Sequence, residues 1–369
     1  MFEVKALRGE GARYPISHFL LILFLVLAAF RNLVDVHLQS IDLLYSYVDN
    51  ILGGVPPYKV FQNRLIAPML VKLAEWGLIP IFSIMSPKVL QNPLKISYMS
   101  VILAVLLASH YLAYVLFYRK MENRQRALAY TVVFNFMFII FQSSILLFIW
   151  DIVELPFALL FAYGVFQKKK CSYFLPLFFL SLFVREMALA IPFWIALDSF
   201  SWESDSAKPR FFRFKLMNVR QALLGISLIV LGVVVTKYVR DIMFIVSSKD
   251  GVGLDVENQL LGNWFQFVNN VKVMFIGNVL ESINPRFLIE NQPMTVLTSF
   301  IPIIILYVLF ANTKQATAHS MKTMVMVLAF FVAIFFFGYI RETREWLYLI
   351  PFILFYYMDF CDSRSPIHR

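Results

Sequence analysis

Four charged residues stand between two apolar stretches near the end of the chain, in the segment FFFGYIRETREWLYLIPF at residues 335–352. Charged side chains beside membrane-spanning sequence are costly, and they usually face a cavity or a charged partner. Arg341 and Glu345 have the i,i+4 spacing of a helical ion pair, which leaves Glu342 and Arg344 to be explained. An arginine fork suits the oxygens of a phosphate, so Arg341 and Arg344 are candidate anion contacts. The alternative for Arg344 is an anchor at the membrane interface.

Three aspartates near the N-terminal end, Asp35, Asp42 and Asp49, are spaced by seven residues. A helix through them would place all three on one face. A carboxylate in such a position could act as a general base. The alternative is that the aspartates form the water-facing side of an amphipathic helix.

Five further residues combine charge with apolar surroundings. Arg64 stands at the head of a predicted helix, where a guanidinium and a helix N-terminus could bind an anion together or where the arginine could anchor the helix at the interface. Asp151 and Glu154 open an apolar run, and both could simply cap their own helix. Arg185 and Glu186 lie between two apolar runs, where Arg185 could bind substrate or pair with neighbouring acids.

The composition defines the elements that must position these residues. The chain has 369 residues, 60% of them hydrophobic, with a mean hydropathy of +0.72 and 39 Phe. An ordinary soluble domain is about 45–50% apolar, so the sequence predicts an all-α polytopic membrane protein. The net charge of +10 arises from short basic segments between apolar runs, which indicates cytoplasmic loops and not a nucleic-acid partner. The two cysteines and the scattered histidines predict neither a disulfide framework nor a metal site.

About ten transmembrane helices follow from the apolar runs, several of them shorter than the roughly 20 residues that cross a bilayer at full thickness. The predicted spans are 16–30, 98–117, 127–144, 150–166, 172–184, 187–198, 222–239, 294–311, 323–340 and 347–360. The stretch 172–198 could instead be one long, interrupted span.

The basic segments orient these spans. Residues 118–126, 168–170 and 208–220 are predicted to be cytoplasmic together with the N-terminus, provided that 65–82 does not cross the membrane. The chain is then one membrane domain, 1–369, in which 31–97 is a first outer loop with two interfacial helices and 240–293 is a second large outer loop.

This threading places the charged candidates on one side of the membrane, where we expect them to share a cavity. Acidic residues and a phosphate could together hold a divalent metal, but the sequence specifies none. Metalloprotease, hydrolase-elbow and nucleotide-binding motifs are absent from the sequence.

The layout resembles the GT-C class of integral membrane glycosyltransferases. The resemblance is carried by IDLLYSYVDNILGGVPPYKVFQNRLIAP in the first loop, where an Asp precedes an aromatic residue, a glycine and a Pro-Tyr pair, and by the Arg-Glu segments FVREMALAIPF and YIRETREWLYLIPF. It implies transfer of a sugar from a polyprenyl-phosphate donor to a glycan or lipid acceptor, on the outer face of a bacterial inner membrane. By resemblance Asp42 is the catalytic base and Asp49 its substitute. The expected substrate-binding residues are Tyr58, Arg64, Asp151, Glu154, Arg185, Glu186, Arg341 and Arg344.

Three other functions fit parts of the same pattern. A polysaccharide repeat-unit polymerase would also join lipid-linked glycans on the outer face and use outer-loop arginines. A transporter or flippase of lipid-linked substrates would also need charges in a cavity, although such proteins often carry internal repeats and mid-membrane polar groups. A non-catalytic scaffold in a polysaccharide-synthesis complex is a further alternative.

Overall fold

The first helix continues well beyond the predicted span. The computed structural model describes residues 15–53, 64–82, 92–142, 148–204, 212–239, 318–337 and 346–364. Helix α1 (Ile16–Leu44) is followed by a one-residue turn at Tyr45 and by α2 (Ser46–Leu52), which Gly53 caps at its C-terminal end. Neither glycine nor proline occurs between residues 31 and 44, so nothing in this stretch breaks the helix. Asp35 and Asp42 therefore lie on α1 itself, and Asp49 lies on α2.

The rest of the described chain is mostly helical. Its helices are α3 (Ile66–Phe82), α4 (Pro93–Met121), α5 (Arg124–Phe141), α6 (Ile149–Val153), α7 (Leu155–Phe166), α8 (Cys171–Ser181), α9 (Ala190–Asp198), α10 (Val219–Tyr238), α11 (Ala318–Phe337) and α12 (Leu349–Arg364). Four described segments are long and apolar enough to cross a membrane: Ile16–His37, Pro93–Met121, Ile149–Phe166 and Val219–Tyr238. The predicted span 294–311 and the predicted outer loop 240–293 lie outside the described residues.

Two local features differ from a simple series of spans. The stretch 172–198 forms two helices, α8 and α9, separated by a turn at residues 182–185 and a short 3-10 turn (Glu186–Leu189). After α9 the chain forms an antiparallel hairpin of β1 (Phe200–Ser204) and β2 (Phe212–Leu216). The expectation of an all-α fold is wrong at this hairpin, where the basic segment 208–220 supplies a strand.

Helix α4 lies at the centre of the described bundle. It packs against α1, α3, α5, α6 and α7, while α12 packs against α5 and α7. Helix α8 contacts α7 and α9, and α10 and α11 both pack on α9. Aromatic side chains fill the interior, as in the ring pairs Phe117–Phe355 at 5.3 Å and Phe161–Phe352 at 5.2 Å. The interior of the bundle is therefore mostly apolar, and the buried charges lie near helix ends.

Candidate buried charge site

The start of α6 places Asp151 and Glu154 on one helical face. Asp151 caps its own helix, which is one of the two alternatives that the sequence leaves open, because its Oδ2 accepts a hydrogen bond from the Phe148 backbone N–H at 3.1 Å. Helices α6 and α7 divide at Glu154 because Pro156, in the first turn of α7, has no N–H to donate. Glu154 keeps right-handed helical torsions (φ −73°, ψ −26°), so the two carboxylates, three residues apart, remain neighbours.

Arg185 holds both carboxylates. Its Nη1 donates to Asp151 Oδ1 at 2.9 Å and to Glu154 Oε2 at 3.3 Å. The three side chains are only 7%, 0% and 7% exposed. Arg185 therefore pairs with neighbouring acids, which is one of the two interpretations given above. The pairing is buried and does not lie on the surface.

Arg64 reaches the same place from the start of α3. The backbone N–H of Ile66 donates to the Phe183 carbonyl at 3.2 Å, which joins the start of α3 to the turn that carries Arg185. The Arg64 guanidinium carbon lies 5.1 Å from the centroid of the Trp150 ring, and Arg64 interacts electrostatically with Glu154. We call Arg64, Asp151, Glu154 and Arg185 the buried charge cluster, of which Arg64 is the half-buried member. Its formal charges cancel, which is the condition under which buried ions are tolerated.

Two tyrosines that the sequence did not single out adjoin this cluster. The Tyr98 hydroxyl has a hydrogen bond with the Ile149 backbone, and Tyr98 interacts electrostatically with Asp151. Tyr348 interacts electrostatically with Glu154 and is 3% exposed. The only sequence signal for Tyr348 is its place in the Arg-Glu segment, four residues after Arg344.

Three helices extend from the neighbourhood of the cluster to a second set of charges. Helix α4 carries Tyr98 near its start, α9 follows Arg185, and α12 follows Tyr348. At the far ends of the same helices, Lys120 Nζ lies 2.5 Å from Asp359 Oδ1. Lys322 Nζ lies 2.9 Å from Asp198 Oδ1. We call these two ion pairs the lysine end.

Asp49 lies outside the buried charge cluster. Its side chain is 55% exposed, and its Oδ1 lies 2.6 Å from Lys72 Nζ, which also contacts Glu75 at 2.6 Å. Burial by itself lowers the pKa of Lys72, but the hydrogen bonds and negative charges of Asp49 and Glu75 outweigh it and raise that pKa. Asp49 thus ties α2 to α3 through a partly exposed ion pair.

The remaining predicted residues are placed only in part. Asp42 lies in the last turn of α1, and Glu186 is the first residue of the 3-10 turn, but the side chains of both lie outside the described residues. Tyr58, Arg341 and Arg344 also lie outside the described residues. The structure therefore brings together four of the predicted residues: Arg64, Asp151, Glu154 and Arg185.

The cluster offers cations and carboxylates at short range. In the described part of the chain, no group of three or more His, Cys, Asp or Glu side chains is placed to hold a metal ion. Guanidinium groups bind phosphate oxygens, and carboxylates accept hydrogen bonds from hydroxyls. The arrangement is therefore chemically suited to a ligand that carries both a phosphate and hydroxyl groups.

Comparison with known proteins adds no family to this description. No protein-family model, no curated protein and no solved structure matches the chain.

Proposed function

We propose that the chain is a membrane glycosyltransferase of the GT-C type, which moves a sugar from a polyprenyl-phosphate donor to a hydroxyl of a glycan or lipid acceptor. The observation that carries this proposal is the buried charge cluster. Segments distant in sequence, around residue 64, at 151–154 and at 185, contribute its two arginines and two carboxylates. Charged groups already held in place can stabilise the phosphate that leaves during transfer without a further cost of reorganisation.

The membrane arrangement belongs to the same proposal. The chain crosses a bacterial inner membrane about ten times, with a cytoplasmic N-terminus, two interfacial helices in the first outer loop and the site on the outer face. The two sets of charges support this threading. It puts every residue of the lysine end on the cytoplasmic side and the cluster on the outer side, and the helices α4, α9 and α12 separate the two sets in space.

In the proposed reaction, an oxygen of the acceptor hydroxyl attacks the anomeric carbon of the donor sugar. The bond from that carbon to the phosphate oxygen breaks, and polyprenyl phosphate leaves with the electron pair. Asp42, by the resemblance, takes the proton of the acceptor hydroxyl. Arg64 and Arg185 stabilise the charge that grows on the phosphate.

The test is an Asp42→Asn variant assayed for release of polyprenyl phosphate. Membranes containing the chain are supplied with a panel of polyprenyl-phosphate sugars and with membrane acceptors, and the released carrier is measured by chromatography. Because a positioned base contributes roughly 100-fold to 10,000-fold, the variant should release carrier at least about 100 times more slowly at unchanged expression.

Asp35→Asn is the matched control. Asp35 lies seven residues earlier on the same helix, is 69% exposed, and has Arg31 as its ion-pair partner at 3.6 Å, so its replacement should leave carrier release unchanged. Full activity of Asp42→Asn would remove Asp42 from the mechanism. Absence of release by the wild-type chain from every donor would overturn the transferase itself.

One observation favours a second function, transport of a lipid-linked substrate. His110 and Asn135 form a buried pair between α4 and α5, with His110 Nε2 3.0 Å from Asn135 Oδ1. Buried polar groups inside a membrane bundle often mark a pathway. A transporter would move the intact donor between the leaflets of a vesicle and release no carrier. The repeat-unit polymerase that the sequence leaves open would release polyprenyl pyrophosphate instead of the monophosphate.

A further inference from the structure

The hydroxyl of Tyr348 is buried without a hydrogen-bond partner among the described residues. Tyr348 is 3% exposed, and its hydroxyl oxygen has less than 1 Å² of accessible surface. A buried polar group that makes no hydrogen bond costs about 1–3 kcal/mol, so nearly all such groups in proteins find a partner. Burying this hydroxyl unpaired is therefore costly, and a group from outside the chain that accepted its hydrogen bond would remove that cost.

Ring packing fixes the position of this hydroxyl. The Tyr348 ring lies 5.0 Å from the Phe330 ring and 6.2 Å from the Phe161 ring, measured between centroids. Phe161 follows Glu154 by seven residues, which is two turns along the helix, so both side chains are on one face. The electrostatic interaction between Tyr348 and Glu154 agrees with this placement.

The chemistry around Tyr348 and Glu154 determines which kind of ligand group can bind there. The Glu154 carboxylate would repel an anionic oxygen placed beside it. The place between Tyr348 and Glu154 is therefore unsuitable for a phosphate. A sugar hydroxyl can donate its hydrogen to a carboxylate oxygen and accept a hydrogen bond from a phenol at the same time. The neighbouring aromatic rings, Phe161 and Phe330, provide apolar surface for the carbon face of a sugar.

We propose that Tyr348 and Glu154 form a subsite for a hydroxyl group of the donor's sugar ring, apart from the arginines that bind the carrier phosphate. Tyr348 donates to the sugar oxygen, and Glu154 accepts the hydroxyl hydrogen. This inference rests on the proposed function and adds to it the distinction between a sugar-recognising part and a phosphate-recognising part of one site.

The test compares two ligands that differ only by the sugar. Purified chain in lipid nanodiscs is titrated with undecaprenyl phosphate and with the undecaprenyl phosphate sugar that the carrier-release assay identifies as donor. The Tyr348→Phe variant should bind the sugar-bearing carrier about fivefold to tenfold more weakly than the wild type, which is the effect of one lost hydrogen bond. Its affinity for bare undecaprenyl phosphate should be unchanged.

Two controls separate ligand binding from folding. Without ligand, Tyr348→Phe should unfold at the same temperature as the wild type or slightly higher, because the substitution deletes a buried hydroxyl that has no partner in the described structure. Tyr357→Phe removes a hydroxyl from a half-exposed tyrosine of the same helix, α12, and should leave both affinities unchanged.

The outcomes distinguish this inference from the proposed function. Equal loss for both carriers, no loss for either, or a lower unfolding temperature of ligand-free Tyr348→Phe would overturn the sugar subsite while the transferase stands. Failure of the wild-type chain to bind or consume any sugar-bearing carrier would overturn both. Selective loss of the sugar-bearing carrier alone supports the subsite.

Discussion

The two ends of the helical bundle differ in how deeply their charged side chains are buried. In the buried charge cluster, one arginine nitrogen serves two carboxylates, and Asp151 and Glu154 are 0% and 7% exposed. At the lysine end each lysine has one carboxylate partner within the described part of the chain, and Asp359 and Asp198 remain 37% and 41% exposed. Partly exposed pairs contribute little because water already solvates their charges, whereas buried charges depend on their partners. The ion pairs of the lysine end thus join helices with a modest gain in stability. The buried charge cluster, in contrast, is maintained at a considerable cost in desolvation free energy.

The chemistry of the two cations follows the same division. The planar guanidinium of Arg185 can satisfy two acceptors in a fixed geometry, while the ammonium groups of Lys120 and Lys322 are strongly hydrated and suit positions near water. A buried ion group is weak support for stability, since an apolar replacement of similar shape is often as stable. The presence of buried ions at one end of the bundle therefore favours a role in ligand binding. No such role is needed to explain the ion pairs of the lysine end.

The largest effect is expected for Arg185→Ala. The substitution leaves two carboxylates buried without their shared donor, which should lower the free energy of unfolding by about 3–5 kcal/mol. Unfolding by SDS titration in mixed micelles measures this change. Arg126→Ala, which truncates an exposed arginine, should change the free energy by at most about 0.5 kcal/mol. A loss below about 1 kcal/mol for Arg185→Ala would mean that water solvates the cluster and that the two ends are alike.

The sequence predicted the mostly helical character of the chain and much of the cluster for one physical reason. Apolar runs long enough to cross or enter a bilayer must be helical, and charges at their ends must find water or partners. That reasoning selected Arg64, Asp151, Glu154 and Arg185 without any knowledge of their contacts. It could not give the sharing of Arg185 between the two acids, because that depends on how the turn after α8 packs against α6.

Other features depended on tertiary packing or on weak local signals. The end of α1 was misplaced because Arg31 interrupts the run of hydrophobic residues without interrupting the helix, which continues to Leu44. The β-hairpin was missed because basic charge in 208–220 suggested a loop, although five-residue strands can form there. Tyr98 and Tyr348 were missed because uncharged aromatic residues are common in a sequence with 39 Phe and 17 Tyr, and only burial reveals their positions.

An intermediate effect is expected for Gly225→Ala, which tests whether close packing contributes more than charge near the lysine end. A Cβ on Gly225 would lie 2.6 Å from the Ala196 backbone nitrogen and 2.8 Å from the Pro192 carbonyl oxygen, where α10 crosses α9. Backbone atoms cannot move aside, so the helices must separate at a cost of about 1–3 kcal/mol in the free energy of unfolding. SDS titration measures the change as before.

Gly77→Ala is the matched substitution for Gly225→Ala. Among the described residues, no atom outside the neighbouring backbone of α3 lies within 4 Å of a Cβ built on Gly77, so alanine there should raise the free energy of unfolding by up to about 1 kcal/mol through helix propensity alone. If both glycine variants gain stability, α9 and α10 tolerate a wider separation than their contact indicates. Packing would then not be what holds the lysine end.

The smallest effect is expected for Lys322→Met, which removes one charge of the lysine end and keeps the apolar stem. Lys322 donates to both the carbonyl oxygen and Oδ1 of Asp198 at 2.9 Å, but Asp198 also accepts a hydrogen bond from Gln221 Nε2 at 3.3 Å and remains partly exposed. The free energy of unfolding should fall by about 0.2–1 kcal/mol. Because exposed charges are screened by salt, the difference from the wild type should shrink further when the ionic strength is raised. A salt-independent loss of unfolding free energy as large as that of Arg185→Ala would contradict this expectation. It would show that the lysine end depends on its ion pairs as much as the cluster does. The two ends would then differ in the chemistry of their cations and not in solvation.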